Sequence, residues 1–260
     1  MTDVVRRRNL QVNNEGKLMS DFSLSTETKK RLETVSVATL ATALYKRGLR
    51  NQVIQDVHPL KRKGRNMVGP AFTLRYMPAR EDRNQLVEFR NPKHPQRHAV
   101  ETCPEGHVMV MDSRKSAYAA SAGDILITRL MMRGAAGVVT DGGFRDAMNI
   151  GELDMPSYHN RPSSPTNLTT NEAIDINVPI GCGDAPVFPG DIMVGDDDSV
   201  IVIPAHLADE IAMEAVEMTA FEDFVLGKVQ EGASIIGLYP ATKEENLEEF
   251  KEWRKKNGRP

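Results

Sequence analysis

The sequence has few cysteines, and their positions exclude several kinds of site. Only two of the 260 residues are cysteines, Cys103 and Cys182, and neither belongs to a C-x-x-C pair or has a histidine at metal-ligand spacing. A disulfide framework or a structural zinc site needs more cysteines at closer spacing. We therefore expect two free thiols and a protein of the reducing cytoplasm.

Long apolar runs and an excess of positive charge are also absent. No apolar run reaches the length of a transmembrane helix, and the basic start at Arg6, Arg7 and Arg8 lacks the apolar core of a signal peptide. The 36 Asp and Glu residues outnumber the 33 Lys and Arg residues, for a net charge of −3. These features predict that the protein binds neither membranes nor nucleic acid. The sequence also has no P-loop and no G-x-G-x-x-G motif, so we expect no nucleotide cofactor.

Length and composition predict one large domain with extensions. With 260 residues and 40% hydrophobic content, the chain is well able to bury a core. Residues 1–24 are polar and without period, which is typical of a flexible arm. We expect the main domain over residues 25–235 and a C-terminal helical appendage over residues 236–260, anchored by Trp253.

The most informative stretch covers residues 123–146. Its first half, G-D-I-L-I-T-R-L-M-M-R-G, is mostly apolar, and its charged residues are Asp124 and two arginines four residues apart, which predicts a helix buried on most of its surface. Asp124 would complement the helix dipole, and Gly134 would end the helix. The second half, A-A-G-V-V-T-D-G-G-F-R-D, predicts a short buried strand and then a glycine turn.

That turn delivers two charged residues, Arg145 and Asp146. In a β-α-β unit, the end of the strand and the start of the helix lie at the same edge of the sheet. We therefore expect the pair to meet the helix start, with Asp124 and the free amides of Ile125 and Leu126. The amides and Arg145 suit a carboxylate, and two carboxylates suit Mg²⁺. The alternative is that Asp124 is only a helix cap and the pair only a surface turn.

Such a site would suit 2-oxo acids. A metal beside a carboxylate-binding pocket can be chelated by the carboxylate and the 2-oxo group of such an acid. Chelation stabilises an enolate, which is the intermediate of aldol cleavage and of β-decarboxylation.

The spacing of Asp124, twenty residues and then Arg145-Asp146 resembles the D-x20-R-D motif of the class II HMG/CHA (4-hydroxy-4-methyl-2-oxoglutarate and 4-carboxy-4-hydroxy-2-oxoadipate) aldolases. These belong to the RraA-like family, which includes the RraA regulator of ribonuclease E. Further segments between about residues 30 and 215 stand in the expected order: G-P-A-F-T-L (69–74), V-M-V-M-D (108–112), A-G-V-V-T-D-G-G-F-R-D (136–146) and P-G-D-I-M-V-G-D-D-D-S-V-I-V-I-P (189–204). Regulator-type members lack the first Asp, so Asp124 favours an enzyme.

The resemblance implies a fold, an assembly and an activity. The fold would be α/β, a swivelling β/β/α sandwich with flanking N- and C-terminal helices. The assembly would be a homotrimer, or a hexamer of trimers, with sites at subunit boundaries. The activity would be cleavage of a 4-hydroxy-2-oxo acid to pyruvate and a second carbonyl compound, with possible decarboxylation of oxaloacetate.

The resemblance also implies residue roles. Asp146 would anchor Mg²⁺ or Mn²⁺, Arg145 would bind the 2-oxo acid and stabilise its enolate, and Asp124 would orient a metal-activated water for proton transfer. The substrate-binding set would be Gly123, Ile125, Leu126 and Arg145. Two other functions stay open: a protein-binding regulator of a ribonuclease, which would not need Asp124, and a metal-dependent sugar-acid dehydratase.

Other motifs are interpreted as structural. A helix is expected from Ser25 or Thr26 to Gly48, a second sheet after Asn177, and a long helix from Pro204. His94 and His98 have the spacing of a metal pair on a helix, but Pro92 and Pro95 argue against a helix there. The basic run 61–65 and the acidic run 196–198 are expected to be turns. The proline-rich stretch 157–170 is expected to be an ordered loop that either contacts a substrate or is solvated. His159 within it is expected to be structural.

Overall fold

In the computed structural model of the chain, residues 23–259 are described. The predicted arm over residues 1–24 therefore lies almost wholly outside the described residues. No helix in the described part of the chain is long and apolar enough to cross a membrane.

The described residues contain seven α-helices, three short 3₁₀ helices and fourteen strands. The helices are α1 Thr26–Leu32, α2 Val37–Tyr45, α3 Pro95–Thr102, α4 Asp124–Met132, α5 Ala147–Glu152, α6 Ala208–Gln230 and α7 Glu244–Asn257. The strands are β1 Val53–Ile54, β2 His58–Pro59, β3 Met67–Pro78, β4 Val108–Asp112, β5 Ala120–Ala122, β6 Gly137–Thr140, β7 Gly143–Phe144, β8 Ser157–His159, β9 Arg161–Pro162, β10 Asn171–Ile176, β11 Ile180–Cys182, β12 Ala185–Val187, β13 Ile192–Gly195 and β14 Val200–Ile203.

A nine-stranded mixed sheet forms the centre of the fold. Its strand order is β1-β14-β13-β3-β4-β6-β8-β2, and β10 also pairs with β3. Strands β3, β4, β6 and β8 are parallel to one another, whereas β13, β14 and β1 are antiparallel. The central parallel strands β4 and β6 are buried along their whole length, as their unbroken apolar sequences predict.

The strands predicted as a second sheet after Asn177 divide between two sheets: β13 and β14 belong to the large sheet, whereas β11 and β12 pair only with each other. Strand β3 joins the two halves, because its first four residues pair with β13 and its next five pair with β4. The twelve residues of β3 are long enough to belong to both halves. The alternation of apolar residues predicts where strands lie but not which strands pair with each other. The sequence pattern therefore could not predict that β3 joins the two halves of the sheet.

Two smaller sheets lie beside the large one. Strands β11 and β12 form a hairpin. Strands β5, β7 and β9 form a three-stranded parallel sheet, in which Ala122 pairs with Phe144 and Phe144 pairs with Pro162. This second small sheet contains both ends of the stretch 123–146 and so positions the candidate site.

Side chains on the two faces of the large sheet enter different apolar clusters. In β4, Met109 and Met111 pack with α3 and α4, whereas Val108 and Val110 pack toward β11 and β12. The antiparallel half packs against α1, α2 and α6. Both cysteines are buried free thiols, as predicted.

The N-terminal helical region is two helices rather than the single predicted helix. The break lies at residues 33–36, where Ser36 caps α2 by accepting a hydrogen bond from the amide of Thr39 at 3.1 Å. The carboxylate of Asp196 accepts a second hydrogen bond, from the amide of Val37 at 2.8 Å. Serine and aspartate satisfy amides that a helix start leaves free, so they favour a new start over continuation.

The structure also corrects the interpretation of residues 92–102. A helix does form there, because Pro95 occupies the first position of α3, where its missing amide costs nothing. His94 precedes the helix and is buried against Phe89, while His98 is exposed. The two histidines therefore do not form the metal pair that their spacing permits.

The C-terminal helices pack on each other through aromatic side chains. Trp253 on α7 contacts Phe224 on α6 with ring centroids 6.0 Å apart, and Phe250 contacts Phe221 at 5.2 Å. Ion pairs join the same helices, including Arg254 with Glu217 at 2.7 Å. The predicted helix at the C-terminus and its Trp253 anchor are thus present.

The close approach of β3 to the loop before β4 can be tested at Gly69. A Cβ at this position would lie 2.4 Å from the carbonyl oxygen of Gly106, which is backbone and cannot move aside. We expect Gly69→Ala to lower the free energy of unfolding by about 1–3 kcal/mol in urea denaturation. Gly181→Ala is the matched control, since a Cβ there meets no atom within 4 Å. Equal stability of the two variants would contradict the packing.

Candidate active site

The candidate site lies where the three short parallel strands end. Because Ala122, Phe144 and Pro162 are paired, the residues that follow them, Gly123, Arg145 and Ser163, lie side by side. Two hydrogen bonds continue the ladder: the amide of Arg145 donates to Ala122 O at 3.1 Å, and that of Ser163 donates to Phe144 O at 2.9 Å. The predicted convergence of the helix start with the Arg145–Asp146 pair is therefore present.

Gly123 is where the start of α4 comes closest to the side chains of Arg145 and Asp146. A Cβ on this residue would lie 2.8 Å from Cγ of Arg145 and 3.0 Å from Oδ2 of Asp146. Any side chain larger than hydrogen would push both groups away from the start of α4. The glycine thus leaves open the space that the helix start and the charged pair share.

Two carboxylates border this space, and each is held by one neighbour. Oδ2 of Asp146 accepts from Nε of Arg145 at 3.2 Å, and Oδ2 of Asp124 accepts from Nδ2 of Asn149 at 2.9 Å. Neither Oδ1 atom makes a hydrogen bond within residues 23–259. Asp146 has a left-handed backbone (φ 56°) at the start of α5, a conformation that Asp tolerates better than most residues.

The amides at the start of α4 differ from the prediction. The amide of Leu126 donates to Gly123 O at 3.1 Å, so it is not free. The amide of Ile125 has no acceptor within the described part of the chain. The tight first turn of α4 accounts for the difference, because an i to i+3 hydrogen bond uses an amide that a regular α-helix leaves free.

The outer face of α4 corrects a second prediction. Ile127 and Leu130 are buried, but Ile125 is 81% exposed and Met132 is 70% exposed. Met148 on the adjacent helix α5 is 82% exposed. The apolar sequence of α4 therefore covers two faces, and the single chain buries only the one that packs on the sheet.

The residues present fit a hydrated Mg²⁺ or Mn²⁺ bound by few protein ligands. Within residues 23–259, no group of three or more His, Cys, Asp or Glu side chains is placed to hold a metal. Mg²⁺ keeps several waters and often takes only one or two protein carboxylates. Asp146 meets that requirement, since its side chain is partly exposed and one of its oxygens has no hydrogen bond.

A network of buried hydroxyl groups holds β5, the strand that precedes Gly123, in place. The hydroxyl of Ser121 lies 2.6 Å from that of Thr140 and 2.7 Å from that of Ser113. Its carbonyl oxygen accepts from Tyr76 Oη at 2.9 Å and from Gln96 Nε2 at 2.6 Å. These contacts join β5 to β3, β6 and α3. The sequence showed only a run of small residues there, which indicates close packing but not a hydrogen-bond network.

Two aspartates near the site have structural roles. Asp141 accepts from the amides of Ser113, Lys115 and Gly183, and burial raises its pKa to about 6 despite these hydrogen bonds. Asp112 accepts from the amides of Arg114 and Gly181. These two hydrogen bonds give Asp112 a structural role at the end of β4. Both carboxylates tie the loops that surround β4 and β6.

The stretch 157–170 is less of a loop than its prolines predict. It contains β8 and β9, and Tyr158 in β8 is buried with its hydroxyl 2.9 Å from the carbonyl oxygen of Asp196. Asn167 is also buried. Among the polar residues of the stretch 157–170, Ser163 lies beside Arg145. A proline at the end of a short strand does not interrupt the hydrogen bonds between strands, so the prolines of this stretch are compatible with β8 and β9.

His159 is packed in the core beneath the site. Its ring stacks on Phe144 with centroids 5.7 Å apart. Burial, and secondarily the neighbouring His58, lowers its pKa to about 4. The imidazole is therefore neutral at pH 7 and has a structural position, as predicted.

This burial predicts a pH dependence of stability. The unfolded His159 binds a proton below about pH 6.5 and the folded one only below about pH 4, so stability falls as the pH drops through this window. We expect His159→Phe to remove about 2–3 kcal/mol of that loss. Urea denaturation of both proteins between pH 4 and 7 measures the difference. Parallel curves for the two proteins would contradict a neutral, buried His159.

Comparisons with known proteins identify the family and the fold. The family model described as RraA-like, Aldolase/RraA, matches residues 37–202. The crystal structure of RraAS2 from Streptomyces coelicolor, described as an unusual member of the RNase ES inhibitor RraA protein family, aligns with a TM-score of 0.68 and 30% identity. The alignment covers 77% of this chain and 96% of that one. The predicted fold is thereby confirmed.

Two curated relatives carry the name "Putative 4-hydroxy-4-methyl-2-oxoglutarate aldolase". The one from Halalkalibacterium halodurans is 34% identical over 118 residues, which are 45% of this chain and 56% of the relative. The one from Ectopseudomonas mendocina is 32% identical over 104 residues, which are 40% of this chain and 64% of the relative. The chain thus spans between half and two thirds of the length of these relatives.

Proposed function

The chain belongs to the RraA-like family, and on this premise we propose that it is a divalent-metal-dependent carbon–carbon lyase. Its substrate would be a 4-hydroxy-2-oxo acid, cleaved to pyruvate and a second carbonyl compound. The observation that carries the proposal is the meeting of Asp124, Arg145 and Asp146 around the open space at Gly123. The names of the two curated relatives point to the same reaction class.

Each group at the site suits one part of this reaction. Asp146 would hold Mg²⁺ or Mn²⁺, which supplies a Lewis acid for the 2-oxo group when bound. Arg145 would bind the oxygens of the 2-oxo acid and stabilise negative charge as it develops. The free amide of Ile125 would bind the substrate carboxylate beside Gly123. Because the amide of Leu126 is already used, it contributes only by shaping the turn.

The bond that breaks joins C3 and C4 of the substrate. The 4-hydroxyl loses its proton and becomes a carbonyl, and the electron pair of the C3–C4 bond moves toward the 2-oxo group. A proton then returns to C3 to give pyruvate. Asp124 would orient the water that carries these protons, using the carboxylate oxygen that Asn149 leaves free. Loss of CO₂ from oxaloacetate leaves the same electron pair, so we propose that reaction as a side activity.

The exposed apolar face at the site supports a proposal about assembly. Ile125 and Met132 on α4 and Met148 on the adjacent α5 are large apolar side chains that the single chain leaves exposed, which is typical of an interaction surface. We propose that a second copy of the chain covers them in a homotrimer, or in a hexamer of trimers.

A regulatory function is the second candidate. It is favoured by the likeness to RraAS2, whose family is described as that of RNase ES inhibitors. A regulator would bind its partner protein without needing Asp124 or a metal at Asp146. A metal-dependent sugar-acid dehydratase would keep both residues, and analysis of its products would separate it from an aldolase.

Pyruvate release tests the proposed function. The panel contains several 4-hydroxy-2-oxo acids and oxaloacetate, each with Mg²⁺ or with EDTA. We expect release that requires the metal, and a loss of at least about 100-fold in kcat for Asp124→Asn and Asp146→Ala, because general acid–base and metal functions contribute at this level. Asp154→Asn, at an exposed ion pair with Arg65, is the control and should retain full activity.

The opposite results are equally clear. Release that persists in EDTA would contradict the metal at Asp146. A folded wild-type protein that releases no pyruvate from any substrate would contradict the lyase. Tight binding of a ribonuclease by both aspartate variants would then favour the regulator.

A further inference from the structure

Asn149 is a polar residue at the site that neither the motif nor the proposed reaction uses. It lies on α5, three residues after Asp146, and its Nδ2 donates to Oδ2 of Asp124 at 2.9 Å. The contact spans 25 residues and links the first turns of α4 and α5. It is the one side-chain hydrogen bond that Asp124 accepts within residues 23–259.

We propose that Asn149 is a positioning residue that orients the Asp124 carboxylate for proton transfer. This inference rests on the proposed lyase function and assigns a new residue to it. An amide donor that occupies Oδ2 fixes the plane of the carboxylate and leaves Oδ1 directed to another partner. The role is analogous to that of outer hydrogen bonds that hold the ligands of a metal site.

The residue type matters for this role. An amide can donate to a carboxylate without adding charge, whereas a lysine or arginine would add a positive charge that competes with a divalent cation for the carboxylates. Arg145 already pairs with Asp146 at 3.2 Å. The two carboxylates are thus held by different donors, one charged and one neutral. A neutral donor orients Asp124 and leaves the net charge of the site to the metal and Arg145.

The position on α5 also ties the two carboxylates together. Asp146 immediately precedes α5 and Asn149 lies in its first turn, so both residues are attached to the same end of this helix. A movement of α5 would therefore move Asp146 and Asn149, and through Asn149 it would move Asp124. The hydrogen bond makes the spacing of the proton-transfer group and the metal-binding group depend on one helix.

Isosteric substitution distinguishes this role from simple packing. Asn149→Asp keeps the size of the side chain but replaces the donor with a second negative charge that faces Asp124. We expect kcat to fall about 10- to 100-fold in Asn149→Asp and less in Asn149→Ala, with KM within twofold of wild type in both. If Asn149 only packs, Asn149→Asp would match wild type and Asn149→Ala would be worse, which overturns the proposal.

A double-mutant cycle shows whether Asn149 acts through Asp124. In an Asp124→Ala background the donor has no acceptor, so adding Asn149→Asp should change the residual kcat by less than twofold. A full 10- to 100-fold further loss would overturn the proposal. Asn257→Asp is the matched control, because Asn257 also donates an exposed side-chain hydrogen bond, at 2.8 Å to Trp253 O, but lies on α7 away from the site. It should leave kcat unchanged.

Thermal unfolding gives a readout that needs no substrate. In the wild-type background we expect Asn149→Ala to lower Tm by about 1–2 °C, the effect of one exposed hydrogen bond to a charged group. In the Asp124→Ala background we expect no further shift. Equal shifts in both backgrounds would overturn the contact. If the wild-type protein had no lyase activity, the proposed function would be contradicted. The thermal cycle would still test whether Asn149 and Asp124 are in contact.

Discussion

The close approach of the chain at Gly123 is the constraint on which the site depends. Strands β5 and β7 pair in parallel, and their ends bring Gly123 against Arg145 and Asp146 with no room for a Cβ. Gly143 is under the same constraint, since a Cβ there would lie 2.5 Å from Cβ of Ser163, the residue that follows β9. Two glycines thus permit three strand ends to meet, and the charged residues that follow them meet as a result.

This arrangement requires a rigid support, and buried polar groups provide it. The Ser121 hydroxyl and carbonyl join β5 to three other elements, and each buried polar atom in this set has a partner. A satisfied buried network holds one geometry, because any rearrangement would leave a desolvated donor or acceptor unpaired. Asp141 has a similar function directly after β6, where its carboxylate accepts hydrogen bonds from three backbone amides.

The parts of the site that sequence reasoning could predict are those encoded locally. The helix start at Asp124, the end at Gly134 and the turn to Arg145 each follow from residue types within a few positions of one another. The contacts that it missed cross the chain. Asn149 and Asp124 are 25 residues apart, and nothing in an isolated Asn on a short helix indicates its acceptor. The sequence also could not predict which face of α4 is buried. The helix is apolar on two faces, and only contacts with distant parts of the chain determine which face is covered.

The sequence by itself therefore determined the family, the α/β class and the elements with the clearest patterns, such as α4, β6 and α6, because periodicity, caps and glycines act over one or two turns of chain. It also identified Asp124, Arg145 and Asp146 as candidates for the chemistry. The tertiary structure decided how these elements join: β3 connects the two halves of the sheet, and Pro95 begins α3 instead of preventing it. It alone decided that the amide of Leu126 is used within its own turn and that Asn149 reaches Asp124. Hydrogen bonds between distant segments depend on the packing of whole elements, and that packing is a property of the folded chain rather than of any stretch within it.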